Sequence, residues 1–148
     1  MADAMYTGYG IKLHWGPPAK TNDPLKAIGF SERAFKKWQH HLPFGTRMLL
    51  YSTRGGGGSG SVHAEVAVAG SFADGASIVP FNVEHPRMLP VHPMHARERV
   101  EPVPLRRVRE ILKDPKWPRQ GVSWTPVSNE IYETLRAELL RPSERQAV

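Results

Sequence analysis

Hydrophobic and polar residues alternate in three stretches of the chain, with the two-residue period of a strand that buries one face. The first stretch is Tyr6 to Trp15, where apolar side chains recur at every second position from Tyr9. Thr46 to Arg54 and Val62 to Gly70 are two further predicted strands, rich in residues that strands favour. We expect these two to pair as an antiparallel hairpin. The flexible run Gly55 to Ser61 connects them, and its composition is also typical of an engineered linker.

Alternation also assigns side chains to the two faces of the predicted sheet. In the second hairpin strand, Val62, Ala64, Val66 and Val68 fall on one face, and His63, Glu65 and Ala67 fall on the other. Residues 87–100 contain Pro90 and Pro93, which cannot donate to a strand ladder, so we expect one or two interrupted strands there.

Three other segments have the 3.6-residue period of amphipathic helices, near residues 31–41, 104–113 and 129–140. Ser31 and Ser128 are typical N-cap residues. Pro104 suits the first helical position, where the missing N–H has no partner to lose. The pattern therefore predicts an α+β domain.

Length and cysteine content narrow the class of protein. A chain of 148 residues is one domain, which we assign to residues 1–142 with a frayed tail at 143–148. The absence of cysteine excludes disulfides, thiolate metal sites and a cysteine nucleophile. No apolar run is long enough to span a bilayer and Met1 to Gly10 lacks the features of a signal peptide, so we expect a soluble cytoplasmic protein with no membrane partner.

Positive charge dominates the chain, which has a formal net charge of +6. Such a surplus favours phosphates and other anions as partners. Residues 97–119 hold eight Lys and Arg against four Asp and Glu, and the helix within them has a cationic outer face. A solvated helix face and a phosphate track both fit this pattern. The candidate phosphate contacts are Arg54, Arg106, Arg107, Arg109, Lys116 and Arg119.

Neither metal binding nor catalysis has a recognisable motif. The closest histidine pair besides His40 and His41 is His92 and His95, whose three-residue offset points the rings to opposite faces of an extended segment. The run Gly55 to Ser61 forms neither a nucleophile elbow nor a phosphate-binding loop. Both motifs lead into a helix, but a predicted strand follows this run, and the Lys-Ser/Thr pair of a phosphate-binding loop is missing. We therefore expect no metal, no cofactor and no catalytic residue.

Two stretches carry a resemblance to a known family. Val100-Glu-Pro-Val-Pro-Leu-Arg-Arg-Val, followed by Gly121-Val-Ser-Trp-Thr-Pro-Val-Ser128 and a closing helix, resembles the EVE family of the PUA-like superfamily, which also contains YTH and ASCH domains. Gly45-Thr-Arg-Met-Leu-Leu-Tyr-Ser-Thr53 and Val62-His-Ala-Glu-Val-Ala-Val68 are similar to two strands of the same family. The family's opening strand motif matches only loosely, at Ile11 to Trp15.

The resemblance implies a twisted PUA-like β-barrel flanked by about three helices. It also implies a reader that binds a modified base, flipped from DNA or RNA into a barrel pocket, and we expect it to act as a monomer. Such a pocket needs aromatic faces for stacking and polar groups for the base edge. The candidate pocket residues are Trp15, Lys12, Tyr51, Ser52, Thr53 and Trp124.

The other tryptophans are expected to have structural or peripheral roles. Trp38 lies on the apolar side of its helix and is predicted to be in the core. Trp117 lies between Lys116 and Pro118 and is predicted at the surface, packed over the preceding helix or paired with Arg119 near a phosphate.

Two alternative functions stay open at this stage. One is a small ASCH-like amidohydrolase for acylated nucleosides, using Lys12 or Lys20 with Thr21 and Glu65. The other is a protein-interaction domain whose basic face only aids solubility. Binding through phosphates has a steep salt dependence, which distinguishes the reader from the interaction domain. Turnover of an acylated nucleoside would identify the enzyme.

Overall fold

The computed structural model of this chain describes residues 8–14, 26–53, 60–80, 83–96 and 99–141. The described residues form an α+β architecture of strands and helices in mixed order. The strands are β1 (Tyr9–His14), β2 (Ala27–Phe30), β3 (Arg47–Ser52), β4 (Ser61–Val68), β5 (Arg87–Pro93), β6 (Val103–Pro104) and β7 (Trp124–Pro126). The helices are α1 (Glu32–Trp38), α2 (Leu105–Leu112) and α3 (Asn129–Leu139), with a short 3₁₀ turn at Asp74–Ser77.

The strands form one strongly curled sheet in the order β2-β5-β4-β3-β1-β7, with β6 also beside β4. β1 and β3 run parallel, and the other pairs are antiparallel. The curl brings the two ends of the sheet together, since Phe30 of β2 and Trp124 of β7 belong to one buried cluster. The prediction of a twisted, barrel-like sheet with three flanking helices is confirmed at this level.

Most predicted elements are confirmed, and their local causes are visible. β3 and β4 pair antiparallel, as expected for the hairpin. The Ser31 hydroxyl accepts a hydrogen bond from the amide of Ala34 at 3.1 Å, and Ser128 caps α3 in the same way. The four-residue strand β2 was not predicted, because a strand this short shows too little alternation to be detected.

The sheet separates two hydrophobic cores, which we call the inner and outer cores. The inner core lies within the curl, where Leu50 and Val66 pack with Trp38 of α1. The outer core lies between the sheet and helices α2 and α3, and it includes Leu49, with Tyr132 of α3. Neighbouring residues of β3 therefore serve different cores, as strand alternation requires.

Val62, His63 and Trp117 lie where the sequence did not place them, and His63 is near His14 on the inner face instead of beside Glu65. Val62 packs in the outer core while Ala64 and Val66 face the inner core, because a β-bulge opposite Leu50 and Tyr51 shifts the register of β4. The surface prediction for Trp117 was wrong, since this side chain is 3% exposed and packs in the outer core.

Glu65 is a buried carboxylate that joins β4 to the elements around it. Its side chain is fully buried, yet four donors reach its two oxygens. Tyr132 donates at 2.7 Å and Arg47 at 2.8 Å to Oε2, while Oε1 lies 2.6 Å from His95 Nε2 and 3.0 Å from Arg136 Nε. Burial raises the pKa of Glu65, but these hydrogen bonds and the charge of Arg47 outweigh it, and the net pKa is lowered.

We expect Glu65→Gln to destabilise the protein by about 1.5–3 kcal/mol at neutral pH, because the neutral amide cannot replace the buried carboxylate as the acceptor for the partly exposed Arg47 and Arg136. Because the pKa of Glu65 is lower in the folded state than its ordinary value of about 4.5, the ionised carboxylate stabilises the fold at pH values above about 4.5. This stabilisation is lost as the pH falls below that value. Urea denaturation at neutral and acidic pH should therefore show a smaller difference between variant and wild type in acid. Glu133→Gln, at an exposed position, is the control. A pH-independent difference would contradict the assignment.

Gly10 leaves room for the ring of Trp124 against β1. A Cβ at Gly10 would lie 2.5 Å from Trp124 Cη2 and 2.6 Å from the carbonyl oxygen of Thr125. The backbone oxygen cannot swing aside, so a side chain here forces the strands apart. This contact fixes the indole in the inner core.

Gly10→Ala should lower the free energy of unfolding by about 1–3 kcal/mol through overpacking. The double variant Gly10→Ala with Trp124→Leu should lose less free energy of unfolding than the two single variants lose together. The shorter leucine side chain relieves part of the clash. Thermal or urea denaturation of the four proteins measures the coupling. Strict additivity would show that the two residues do not compete for this space.

Candidate functional site

Lys12 is a buried cation on the inner face of β1. It is 2% exposed, and its Nζ lies 4.6 Å from the centroid of the Phe30 ring. The ammonium donates to the carbonyl oxygen of Leu13 at 2.5 Å. Among the described residues no carboxylate forms an ion pair with it. Burial lowers the pKa of Lys12 to about 7.

Polar side chains share the inner face of the sheet with Lys12, towards the ends of β1 and β3. His14 is paired in register with Ser52, which is fully buried, and its ring centroid lies 6.3 Å from that of His63. Burial, and then the charge of Lys12, lowers the pKa of His85. We call Lys12, His14, Ser52, His63 and His85 the inner site. Together they supply one ammonium, three imidazoles and a hydroxyl for hydrogen bonding.

A separate groove lies on the outer face of the sheet beside α2. It has a volume of about 940 Å³ and is open to solvent. Tyr51 of β3 and Thr53, the residue after β3, form one wall, and α2 with the loop after it forms the other. We call this the α2 groove; its remaining lining residues are Leu105, Arg106, Arg109, Glu110, Lys113, Asp114, Pro115 and Pro118.

The charges in the α2 groove are unequally neutralised. Asp114 pairs with Arg119 at 3.3 Å, and Glu110 pairs with Arg107 at 3.7 Å. In the part of the chain that the structure describes, no ion pair involves the three groove cations Arg106, Arg109 and Lys113. The groove therefore presents unpaired positive charge.

The structure divides the predicted pocket residues between these two places. Lys12, Ser52 and Trp124 lie on the inner face, whereas Tyr51 and Thr53 line the α2 groove. The cause is the alternation of β3, where consecutive side chains point to opposite faces. Trp15 was also predicted to line the pocket and lies outside the described residues.

Trp124 lies against Gly10 and is 5% exposed, so its ring is part of the inner core. Tyr51 is 2% exposed, and its ring meets that of Trp117 edge-on at 5.1 Å. The indole N–H of Trp117 donates to Thr125 at 3.1 Å. These aromatic side chains support the walls of the two sites from within the cores.

The predicted phosphate contacts are also divided. Arg106 and Arg109 line the α2 groove, whereas Arg107 pairs with Glu138 and Glu110. Lys116 is exposed, and Arg119, paired with Asp114, is exposed too. Arg54 lies outside the described residues.

Sequence reasoning missed the three histidines of the inner site and Lys113 of the groove. His14 has the same strand parity as Lys12, which was a usable signal. The bulge in β4 concealed the position of His63, and His85 lies in a turn before β5. Lys113 was counted with the basic helix, but its place in a groove depends on how α2 packs.

The residues of the amidohydrolase alternative do not come together among the described positions. Lys12 faces the inner side of the sheet, and Glu65 faces the outer side beside Leu49 and Tyr132. Both Glu65 oxygens are occupied by structural donors. Lys20 and Thr21 lie outside the described residues.

The described residues contain no group of three or more His, Asp or Glu side chains arranged to hold a metal ion. None of their helices has the length and apolar content needed to cross a membrane.

Comparison with known proteins gives a likeness of fold. The sequence matches no family model and no curated protein. The structure is similar to the crystal structure of protein Atu2648 from Agrobacterium tumefaciens, with a TM-score of 0.54 and 19% sequence identity over 90% of this chain and 96% of that chain. At this identity the likeness concerns the fold alone.

The lowered pKa of Lys12 makes stability depend on pH. Between about pH 7 and the ordinary value of 10.5, the unfolded chain holds a proton that folded Lys12 has released. The free energy of unfolding should therefore rise with pH in this window, by at most about 1.4 kcal/mol per pH unit from this group. Lys12→Met should remove the rise in urea denaturation, and exposed Lys36→Met should keep it. Equal slopes in all three proteins would contradict the lowered pKa of the buried Lys12 amine.

Proposed function

We propose that this protein is a nucleic-acid reader that binds a modified base, flipped out of DNA or RNA, in the inner site of a PUA-like barrel. The observation that carries the proposal is Lys12, a buried cation with no carboxylate partner among the described residues. Burying such a group costs free energy, and a ligand that accepts its hydrogen bonds would recover part of that cost.

The chemistry around Lys12 suits the edge of a nucleobase. A base edge carries carbonyl and ring-nitrogen acceptors beside amino donors. The ammonium donates only, whereas imidazole and hydroxyl groups donate or accept. Lys12 would bind an acceptor on the base, and Ser52 with the histidines would discriminate among substituents. The Phe30 ring beside Lys12 supplies an apolar surface.

Charge and fold support the same proposal. The net charge of +6 favours a polyanionic partner. The curled sheet fits the barrel implied by the resemblance to the EVE family, and we assign this chain a PUA-like fold as part of the proposal. The opposed positions of Lys12 and Glu65 favour a reader over the amidohydrolase alternative.

A binding screen tests the proposal directly. Short single strands of DNA and RNA, each with one methylated, hydroxymethylated or unmodified base, are titrated with the full chain by fluorescence anisotropy at low salt. We expect one modification to bind at least several-fold more tightly than the unmodified strand. We expect Ser52→Ala to reduce that difference more than it reduces overall affinity, because the lost hydroxyl contacts the base edge.

Thr46→Val is the matched control for Ser52→Ala. Thr46 is a buried hydroxyl residue just before β3, and it donates to the carbonyl oxygen of Pro43 at 2.8 Å. This variant should alter stability and leave base preference unchanged. Circular dichroism confirms folding of each variant. Wild-type protein with no preference for any modification would refute base reading.

A further inference from the structure

The inner site and the α2 groove meet at the end of β3. Ser52 faces the inner site, and the next residue, Thr53, lines the groove. Because successive residues of an extended chain are about 3.8 Å apart, only one strand separates the inner-site residue Ser52 from the groove residue Thr53. A nucleic acid strand that places one base in the inner site therefore passes close to the groove.

The groove contains an unused hydrogen-bonding group. Thr53 Oγ1 is inaccessible to solvent and makes no hydrogen bond within the described structure. A buried hydroxyl without a partner is unfavourable, and a bound ligand can supply that partner. Arg106, Arg109 and Lys113 lie along the opposite wall with no ion pair among the described residues.

Lys113 occupies a backbone position that suits glycine. It follows α2 with φ 56° and ψ 37°, and its amide donates to the carbonyl oxygens of Arg109 and Glu110. Glycine, or less often asparagine, normally takes this left-handed cap, because a Cβ there is strained. The side chain of Lys113 is exposed and lines the groove, so packing does not account for a lysine. A functional contact would account for it.

We propose that the α2 groove binds the nucleotide next to the base held in the inner site. Arg106, Arg109 and Lys113 contact its phosphates, and the hydroxyl of Thr53 becomes exposed on binding and hydrogen-bonds the sugar or base. This inference rests on the proposed function, since it takes the inner site as the seat of the flipped base. The neutralised Glu110 and Asp114 leave the groove attractive to a phosphate backbone.

Three single variants test the groove in the full chain. Lys113→Gly and Arg106→Gln each remove one proposed phosphate contact. Arg33→Gln is the control, because it removes the same charge at an exposed position of α1 that does not line the groove. Lys113→Gly should not lower the melting temperature, because glycine favours this backbone conformation, so weaker binding by this variant cannot come from unfolding.

The probes are the single strands of the screen and the corresponding free nucleosides. Lys113→Gly and Arg106→Gln should each weaken strand binding about five-fold at about 0.1 M salt and reduce the salt slope by about 0.7. Arg33→Gln should bind strands nearly as wild type does. Free nucleosides, which lack phosphates, should bind all four proteins equally.

The outcomes separate the groove from the proposed function. If base preference persists while all three variants bind strands alike, the groove inference is wrong and the base reader stands. If Lys113→Gly and Arg106→Gln weaken binding but no modification is preferred, the base reader is wrong and the groove is a plain strand-binding site. Wild type that binds no strand at low salt refutes both. Polyglutamate, added at an equal concentration of negative charge, is a competitor that lacks bases and sugars. If it displaces the strand, the groove binds anions in general and the inference of a nucleotide site is wrong.

Discussion

The buried carboxylate of Glu65 is the constraint on which the outer half of the structure depends. It draws donors from β3, from the segment after β5 and from α3 to one point on β4. Removing any donor leaves a buried polar group short of a partner, so these elements are held together in one arrangement. The position of α3 in turn bears on α2, because Arg107 of α2 pairs with Glu138 of α3. The wall of the α2 groove is therefore fixed through Glu65.

The buried charged side chains on the two faces of the sheet have different surroundings. On the outer face the buried Glu65 is surrounded by cations and hydrogen-bond donors. On the inner face the buried Lys12 has an aromatic ring and a carbonyl oxygen, and no carboxylate among the described residues. Partners within the fold account for a buried charge that they neutralise. A buried charged side chain without such a partner needs another explanation. This contrast is the reason for giving Glu65 a structural role and for proposing that Lys12 binds a ligand.

Periodicity predicted the elements well because it depends on local contacts. It identified the hairpin, all three helices and both serine caps. It missed β2, whose pairing with β5 is long-range, and it misjudged Val62 because a bulge breaks the alternation. For the candidate site, the sequence indicated which residue types take part more readily than which of them lie together on one face of the sheet. Ser52 and Thr53 were placed in one pocket, although adjacent strand residues cannot face the same side.

Sequence and local stability conflict at two lysines of the described chain, one on each face of the sheet. Lys12 is a lysine where the inner core favours an apolar residue, and Lys113 is a lysine where the backbone favours glycine. Local rules are commonly broken at functional sites, because a ligand uses what the fold alone does not need. One lysine faces the inner site and the other faces the α2 groove, so the two conflicts lie on either side of the strand edge between Ser52 and Thr53. A single strand of nucleic acid crossing that edge is an occupant that would engage both lysines at once.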